Sequence, residues 1–146
     1  DKGKNLKLFR YEKWQHNYPN IRIDNYSSKI DKLFEKSRLV ISTYNATSYL
    51  ETLSLNIPTI IFWDEKFFQI RKEAKPYFEL LKRVKIFHTS PESISSHIKE
   101  IYHHIDDWWE SDETKNAVKI FCSKFVNTSD IDIKKLQELI KYYKKH

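Results

Sequence analysis

A polar run of seven residues combines hydroxyl and amide side chains in one stretch: Ser42-Thr43-Tyr44-Asn45-Ala46-Thr47-Ser48. It follows an apolar β-branched run and precedes a helical pattern, so its last residues open a helix. The start of a helix carries free N–H groups and aligned peptide dipoles, which attract phosphate. Thr47 and Ser48 would add hydroxyl donors, and Glu51, one turn later, would accept from a ribose diol. The run is therefore the first candidate for a site that binds a phosphorylated, sugar-containing ligand.

A purely structural role is open to the same residues. Ser48 and Glu51 stand three positions apart, the spacing of a capping box in which the two side chains satisfy the free N–H groups of the helix. A glutamate held by its own helix is less free to meet a sugar. The residue pattern leaves both interpretations open.

Two other groups of residues carry side chains that could bind such a ligand. Arg10 ends a predicted strand with Lys13 close behind, and the pair suits either phosphate binding or a surface ion pair. The cluster Trp63-Asp64-Glu65-Lys66 stands at the end of another predicted strand. Trp63 would stack on a base and Asp64 or Glu65 would bind a sugar hydroxyl, or else Trp63 would cap the core and Asp64 would cap a helix.

The histidines and the cysteine favour structural roles. His88 ends a strand, where a lone histidine is more often structural than catalytic. His103–His104 and Asp106–Asp107 have the composition of a metal site, but neighbouring residues on a helix point about 100° apart, so their ligands converge poorly. Cys122 lies on an apolar stripe and is expected to be a small buried hydrophobe. No residue pair has the spacing of a nucleophile and its base.

Elements that would position these residues alternate along the chain. Strands are predicted at Asn5–Arg10, Ile21–Asp24, Arg38–Ser42, Pro58–Trp63 and Val84–His88. Tyr11–Pro19 and Asp106–Glu113 are predicted as a loop and a linker. Helices are predicted from Ser28, from Ser48 to about Asn56, over Phe67–Lys75, from a break at Pro76 to Arg83, from Ser90, and around Val118–Phe125 and Ile133–Tyr143.

This order predicts an α/β fold, a Rossmann-like parallel sheet with helices on both faces and the C-terminal helices packed at one end. In such sheets a ligand binds beyond the carboxyl ends of the strands. Ser42, Trp63 and His88 stand at those ends, which again directs attention to the polar run.

Composition narrows the function classes. The chain has 146 residues, 40% of them hydrophobic, which suits one domain over residues 1–146. Its single glycine excludes the glycine-rich phosphate loops of nucleotide-binding proteins. A net charge of +6 favours polyanionic partners: nucleic acid, anionic lipid or phosphorylated small molecules.

One cysteine indicates a cytoplasmic protein, and no apolar run reaches the ~20 residues of a membrane span. The absence of methionine predicts a fragment of a longer protein.

Two runs, Arg38–Leu53 and Asn56–Trp63, resemble a family of bacterial transferases of surface carbohydrate biosynthesis. More broadly, the order of hydroxyl residues, helix, glutamate, proline and apolar strand is similar to the C-terminal donor domain of two-domain (GT-B type) glycosyltransferases. Related patterns occur in polyol-phosphate polymerases and sugar-nucleotide epimerases. Supporting matches lie at Lys75–Phe78, Leu80–Leu81, Phe87–His88, Pro91–Ser93, Trp108–Trp109 and Phe121–Cys122.

The resemblance implies roles for individual residues. Asn45, Thr47 and Ser48 would contact the donor phosphates, Glu51 would bind the ribose, and Arg10 would lie near the phosphates. Together with Ser42 at the strand end, these are the predicted substrate-binding residues. The resemblance also implies a missing N-terminal acceptor-binding domain that supplies the base, and neither a cofactor nor an essential metal. Ala46 departs from the family pattern, because glycine is usual before the helix and lets the backbone approach phosphate more closely.

We therefore expect the nucleotide-sugar-binding domain of a larger transferase that builds surface polysaccharide or lipopolysaccharide, with no nucleic acid partner. The alternative is a non-enzymatic α/β binding or assembly module with a basic surface. A nucleic-acid module would bind any strand with a steep salt dependence. An assembly domain of the response-regulator kind would place an acidic pocket at the strand ends, where this sequence has hydroxyls.

Overall fold

The computed structural model describes residues 13–24 and 29–126. The described residues divide into two compact units, one that ends at Lys36 and one that begins at Ser37. In the first unit, residues 13–17 are helical, so the loop predicted there is wrong, and helix α1 spans Ile30–Glu35. The strand predicted at Ile21–Asp24 is also wrong, since these residues have no regular structure and Ile21 is exposed. The strand predicted at Asn5–Arg10 lies outside the described residues.

The second unit contains a small parallel sheet and its covering helices. The elements in chain order are β1 (Val40–Ser42), α2 (Ser48–Ser54), β2 (Thr59–Phe62), α3 (Lys75–Arg83), β3 (Phe87–His88), α4 (Pro91–Ile101), α5 (Ile105–Trp109) and α6 (Asp112–Phe125). The predicted strands at Arg38–Ser42, Pro58–Trp63 and Val84–His88 and the helix from Ser48 are confirmed within a few residues. The last predicted helix, around Ile133–Tyr143, lies outside the described residues.

The three strands pair in the order β1-β2-β3, all parallel. Val40 stands opposite Thr59, and Ile61 stands opposite Phe87. Because the strands run the same way, their carboxyl ends meet at one edge of the sheet. The predicted α/β parallel sheet is therefore confirmed, and its carboxyl edge is formed by the residues that follow Ser42, Phe62 and His88.

Helices cover both faces of this sheet. Consecutive residues of a strand point to opposite faces, so the packing partners of two neighbours in β2 show what covers each face. Ile60 packs with Ile101 and Ile105, which belong to α4 and α5. Its neighbour Ile61 belongs to a larger cluster that includes Leu81 of α3 and Phe121 of α6. Helices on both faces were predicted.

Two boundaries differ from the prediction for a physical reason. The helix expected over Phe67–Lys75 is absent, and residues 65–67 and 72–74 form turns instead. Pro76 lies in the first turn of α3, where its missing N–H costs nothing, so the proline starts a helix and does not interrupt one. The linker expected at Asp106–Glu113 is likewise wrong, because α5 and the first turn of α6 occupy it.

Candidate functional site

The end of β1 and the start of α2 are joined by a hydroxyl pair. Ser42 Oγ lies 3.3 Å from Ser48 Oγ, a hydrogen bond in which either oxygen can donate. Ser42 is buried, whereas Ser48 is half-buried and belongs to the first turn of the helix. Two residues predicted as substrate contacts are thus brought together at the carboxyl edge of the sheet.

A second hydrogen bond fixes the loop between these elements. The Tyr49 hydroxyl donates to Asn45 Oδ1 over 3.1 Å. Burial raises the pKa of Tyr49, so its phenol stays protonated as the donor. The bond uses the oxygen of the exposed Asn45 amide, and its NH₂ group, which can donate twice, makes no hydrogen bond with other described residues.

The first turn of α2 is not closed by a side chain. Thr47 precedes the helix with φ −73° and ψ −19°, a helical conformation in which its hydroxyl makes no capping bond. The N–H groups of Leu50 and Glu51 both donate to the Thr47 carbonyl. Within the described part of the chain, those of Ser48 and Tyr49 have no acceptor.

The capping box considered for Ser48 and Glu51 is therefore wrong. Ser48 lies inside the helix and not before it, and its hydroxyl is bonded to Ser42. The Glu51 carboxylate is exposed and makes no hydrogen bond or ion pair with other described residues. Of the two interpretations of Glu51, the structure leaves open the one in which its carboxylate meets a ligand.

A cavity of about 260 Å³ adjoins this turn. Asn45 and Tyr49 line it together with Gln69, Arg71 and the aromatic rings of Phe78, Phe121 and Phe125. Arg71 is exposed and is a functional candidate that the sequence analysis missed, because the segment was assigned to a helix. Arg71 follows β2, and the residues after β2 lie at the same sheet edge as the polar run. This position in the sequence could have indicated Arg71 as a candidate. Arg10, the arginine predicted for this role, lies outside the described residues.

Trp63 and Asp64 have structural roles. Trp63 is 2% exposed, and its ring centroid lies 4.7 Å from that of Phe87 and 5.5 Å from that of Phe78. It therefore belongs to the core and cannot stack on a base. The Asp64 carboxylate accepts from the Lys66 N–H over 2.8 Å and so caps the turn after β2.

His88 is also structural. Its Nδ1 lies 2.7 Å from Ser93 Oγ and its Nε2 lies 2.8 Å from the Lys85 carbonyl oxygen, so both ring nitrogens are engaged. Burial lowers the pKa of His88, which keeps the ring neutral. Its ring stacks on that of His97, a buried histidine without a hydrogen-bond partner in the described structure.

The remaining candidates offer neither a metal site nor a nucleophile. In the described ranges, no group of three or more His, Cys, Asp or Glu side chains is arranged to hold a metal ion. Burial raises the pKa of the Cys122 thiol, which packs against the core, so it stays protonated. The expectation that no metal is essential stays a prediction.

The carboxyl edge offers hydroxyls, an amide, an exposed carboxylate and a guanidinium. These groups suit binding and orienting a polar ligand.

Among residues 13–24 and 29–126, no helix is both long and apolar enough to cross a membrane.

Residues 3–140 match the sequence model of a family described as LIC12162 family transferase. No curated protein and no solved structure matches the chain.

Proposed function

Because this chain belongs to the LIC12162 family of transferases, we propose that it binds the activated donor of a transfer reaction at the carboxyl edge of its sheet. The donor is a nucleotide-sugar. The chain is the donor-binding part of a larger two-domain enzyme of the GT-B type, which builds surface polysaccharide or lipopolysaccharide in the cytoplasm. The acceptor-binding domain is the partner that completes it.

The observation that carries this proposal is the open first turn of α2. The N–H groups of Ser48 and Tyr49, the hydroxyls of Thr47 and Ser48 and the amide of Asn45 are all grouped at this turn. Such a group of donors, without a competing carboxylate bound among them, favours a phosphate oxygen as the acceptor.

Glu51 supports the sugar part of the proposal. Its exposed carboxylate lies one helical turn beyond Ser48 and is not used by the helix. A carboxylate can accept two hydrogen bonds from a vicinal diol, which is the group a ribose presents. In our proposal Ser48 and Glu51 therefore contact neighbouring parts of one nucleotide.

The transfer reaction breaks the bond between the anomeric carbon of the sugar and a phosphate oxygen, so negative charge grows on the departing nucleotide. Donors that already point at that phosphate stabilise this charge without having to reorganise. Arg71, and Arg10 by the resemblance, would add positive charge there. Deprotonation of the acceptor is assigned to a base in the other domain.

A ligand panel measured by thermal unfolding tests the proposal. Nucleoside diphosphates, nucleotide-sugars, free nucleosides and inorganic diphosphate are added to the chain at millimolar concentration. A nucleotide present at ten times its Kd stabilises the fold by about 1.4 kcal/mol, a rise in Tm of a few degrees. We expect the diphosphates and their sugars to give this rise and the nucleosides to give much less.

Two results would contradict the proposal. One is the absence of any rise in Tm with every nucleotide at concentrations up to several millimolar. The other is binding to single-stranded and duplex nucleic acid of any sequence that weakens steeply with salt, since this is the behaviour of the non-enzymatic basic module.

A further inference from the structure

Two neighbouring aromatic side chains project from the turn between β2 and α3. Phe67 is 79% exposed and Phe68 is 40% exposed. No other large hydrophobic side chain in the described residues is as exposed as Phe67. Solvent exposure of two adjacent phenylalanines leaves apolar surface in water that a partner would cover.

Hydrogen bonds fix the backbone of the turn that carries these rings. The Asp64 carboxylate accepts from the N–H of Lys66, and the Asp64 carbonyl accepts from the N–H groups of Phe67 and Phe68 at 2.9 and 3.3 Å. Ile70 and Ala74, further along the same segment, pack against the core cluster. The smaller apolar side chains of this segment thus face inward while its two largest face outward.

Cations outnumber carboxylates by one in the stretch that carries the exposed rings. Lys66, Arg71, Lys72 and Lys75 are all exposed, and the carboxylates of Asp64, Glu65 and Glu73 lie within the same residues 64–75. None of these four cations forms an ion pair with another described residue. The segment therefore combines a small apolar tip with exposed cations that are not held in ion pairs by described residues, within a chain whose net charge is +6.

We propose that this segment, which we call the Phe67–Phe68 tip (residues 66–75), docks on an anionic lipid bilayer. The two rings enter the interface between headgroups and acyl chains, and the cations meet the lipid phosphates. The charge argues for this occupant, because lipid phosphates complement the exposed lysines. The shape agrees, since two rings projecting from a turn can enter a fluid interface.

The inference does not rest on donor binding, although the two share one edge of the sheet. A bilayer at the Phe67–Phe68 tip would bring that edge close to the membrane surface.

Co-sedimentation with vesicles tests this inference. The chain is mixed with vesicles of phosphatidylcholine alone or of phosphatidylcholine with phosphatidylglycerol, at low and high salt. The test variant is Phe67→Ser with Phe68→Ser. Its matched control is Leu55→Ser with Tyr102→Ser, two side chains that are 63% and 59% exposed elsewhere on the fold.

We expect the wild-type chain to pellet with phosphatidylglycerol vesicles only, and less at high salt. The Phe67/Phe68 variant should bind at least about tenfold more weakly with an unchanged Tm, and the control variant should bind like wild type. Lys66→Glu with Lys72→Glu should also weaken binding, whereas Lys99→Glu with Lys119→Glu, the same charge change elsewhere, should weaken it much less.

The inference is overturned if wild type ignores phosphatidylglycerol vesicles or if the Phe67/Phe68 variant binds them equally well. It is also overturned if wild type self-associates through these phenylalanines without binding vesicles, because the tip would then be an interface between copies of the chain.

Discussion

Ser42 and Ser48 show how two side chains can set the chemistry of a helix start. A serine at the start of a helix usually turns its oxygen to the helix N–H groups. Here the buried Ser42 hydroxyl, 3.3 Å away, engages Ser48 and leaves those N–H groups without it. The Ser48 oxygen retains capacity for a second partner, since a hydroxyl can donate once and accept twice.

Replacing Ser48 by alanine tests this role. In our account, Ser48→Ala loses one hydrogen bond to the donor phosphate and weakens nucleotide binding by about three- to tenfold. Ser54→Ala is the matched control, because Ser54 lies at the other end of the same helix and donates to the Glu51 carbonyl. Fluorescence titration of both variants measures the difference, and equal affinities would remove Ser48 from the site.

His97 is the other residue whose environment has a measurable consequence. It is 3% exposed, and Glu100 Oε2 lies 3.6 Å from its Nδ1, too far for a hydrogen bond. Burial lowers its pKa, an effect that the Glu100 carboxylate partly offsets and the charge of Lys85 reinforces. With His88 stacked against it, the fold holds two neutral imidazoles together.

The chain should lose stability as the pH falls below about 6.5, where histidines of the unfolded chain take up protons. The folded state binds fewer protons there because the pKa values of His88 and His97 are lowered, so the free energy of unfolding decreases. Urea unfolding at about pH 7.5 and at about pH 5.5 measures the loss. His97→Phe should reduce the loss, and the exposed control His103→Gln should not. An equal loss in all three proteins would contradict this assignment.

At the scale of elements, the helices of the second unit begin in different ways. The Ser90 side chain accepts from the Ser93 N–H at the start of α4, and Ser111 accepts from the Thr114 N–H at the start of α6. Thr47 makes no such bond at the start of α2. Like α3 and α5, which follow Ala74 and His104 without a side-chain cap, the helix next to the candidate site has a first turn that no side chain closes.

Two alanine substitutions distinguish these helix starts. Ser90→Ala should lower the free energy of unfolding by about 1 kcal/mol, because it removes a side-chain cap. Thr47→Ala should cost much less, since its hydroxyl makes no capping bond. Urea unfolding of both variants without ligand measures the two costs. Equal costs would mean that Thr47 closes the helix and that the anion site does not exist.

The sequence predicted these elements where a local pattern was strong. Ser90-Pro91 predicted the start of α4, because serine and proline fit a cap and a first turn. The turns after β2 were missed because Phe67, Phe68 and Ile70 were assigned to a helix, whereas Asp64 closes a turn there. Such a choice depends on which apolar side chains the core can accept, which a local pattern does not contain.

At the scale of the whole molecule, an aromatic cluster joins one face of the sheet to its helices. Phe121 of α6 is 1% exposed, and its ring centroid lies 5.2 Å from that of Phe78 and 6.4 Å from that of Tyr49. Tyr49 also lies in the first turn of α2 and donates to Asn45. The core therefore supports the candidate site through Tyr49.

Removing the Phe121 ring should destabilise the fold severely. Phe121→Ala leaves a cavity in the cluster and should lower the free energy of unfolding by about 3–5 kcal/mol. This is a large part of the whole free energy of unfolding of a typical domain. Tyr102→Ala serves as the control, because that ring is 59% exposed and should cost little. Calorimetric or urea unfolding compares them, and a cost below about 1 kcal/mol for Phe121→Ala would contradict this packing.

The site was predictable from the sequence only as a location. Alternating strands and helices imply parallel strands, and parallel strands place Ser42 and the following residues at the ligand-binding edge. The contact between Ser42 and Ser48 was not predictable, because the capping box fits the same residues. Arg71 joins Asn45 at one cavity through the turns that follow β2, which a wrong helix assignment had concealed.

Isothermal titration calorimetry with Glu51→Ala tests donor binding at this edge most directly, using the nucleotide that raises Tm most. Glu92→Ala is the matched control, because Glu92 is likewise an exposed carboxylate in the first turn of a helix that follows a strand. We predict that Glu51→Ala raises Kd at least about tenfold while Glu92→Ala leaves it within about twofold of wild type. A Kd for Glu51→Ala equal to that of wild type, or equally raised in both variants, would contradict our account.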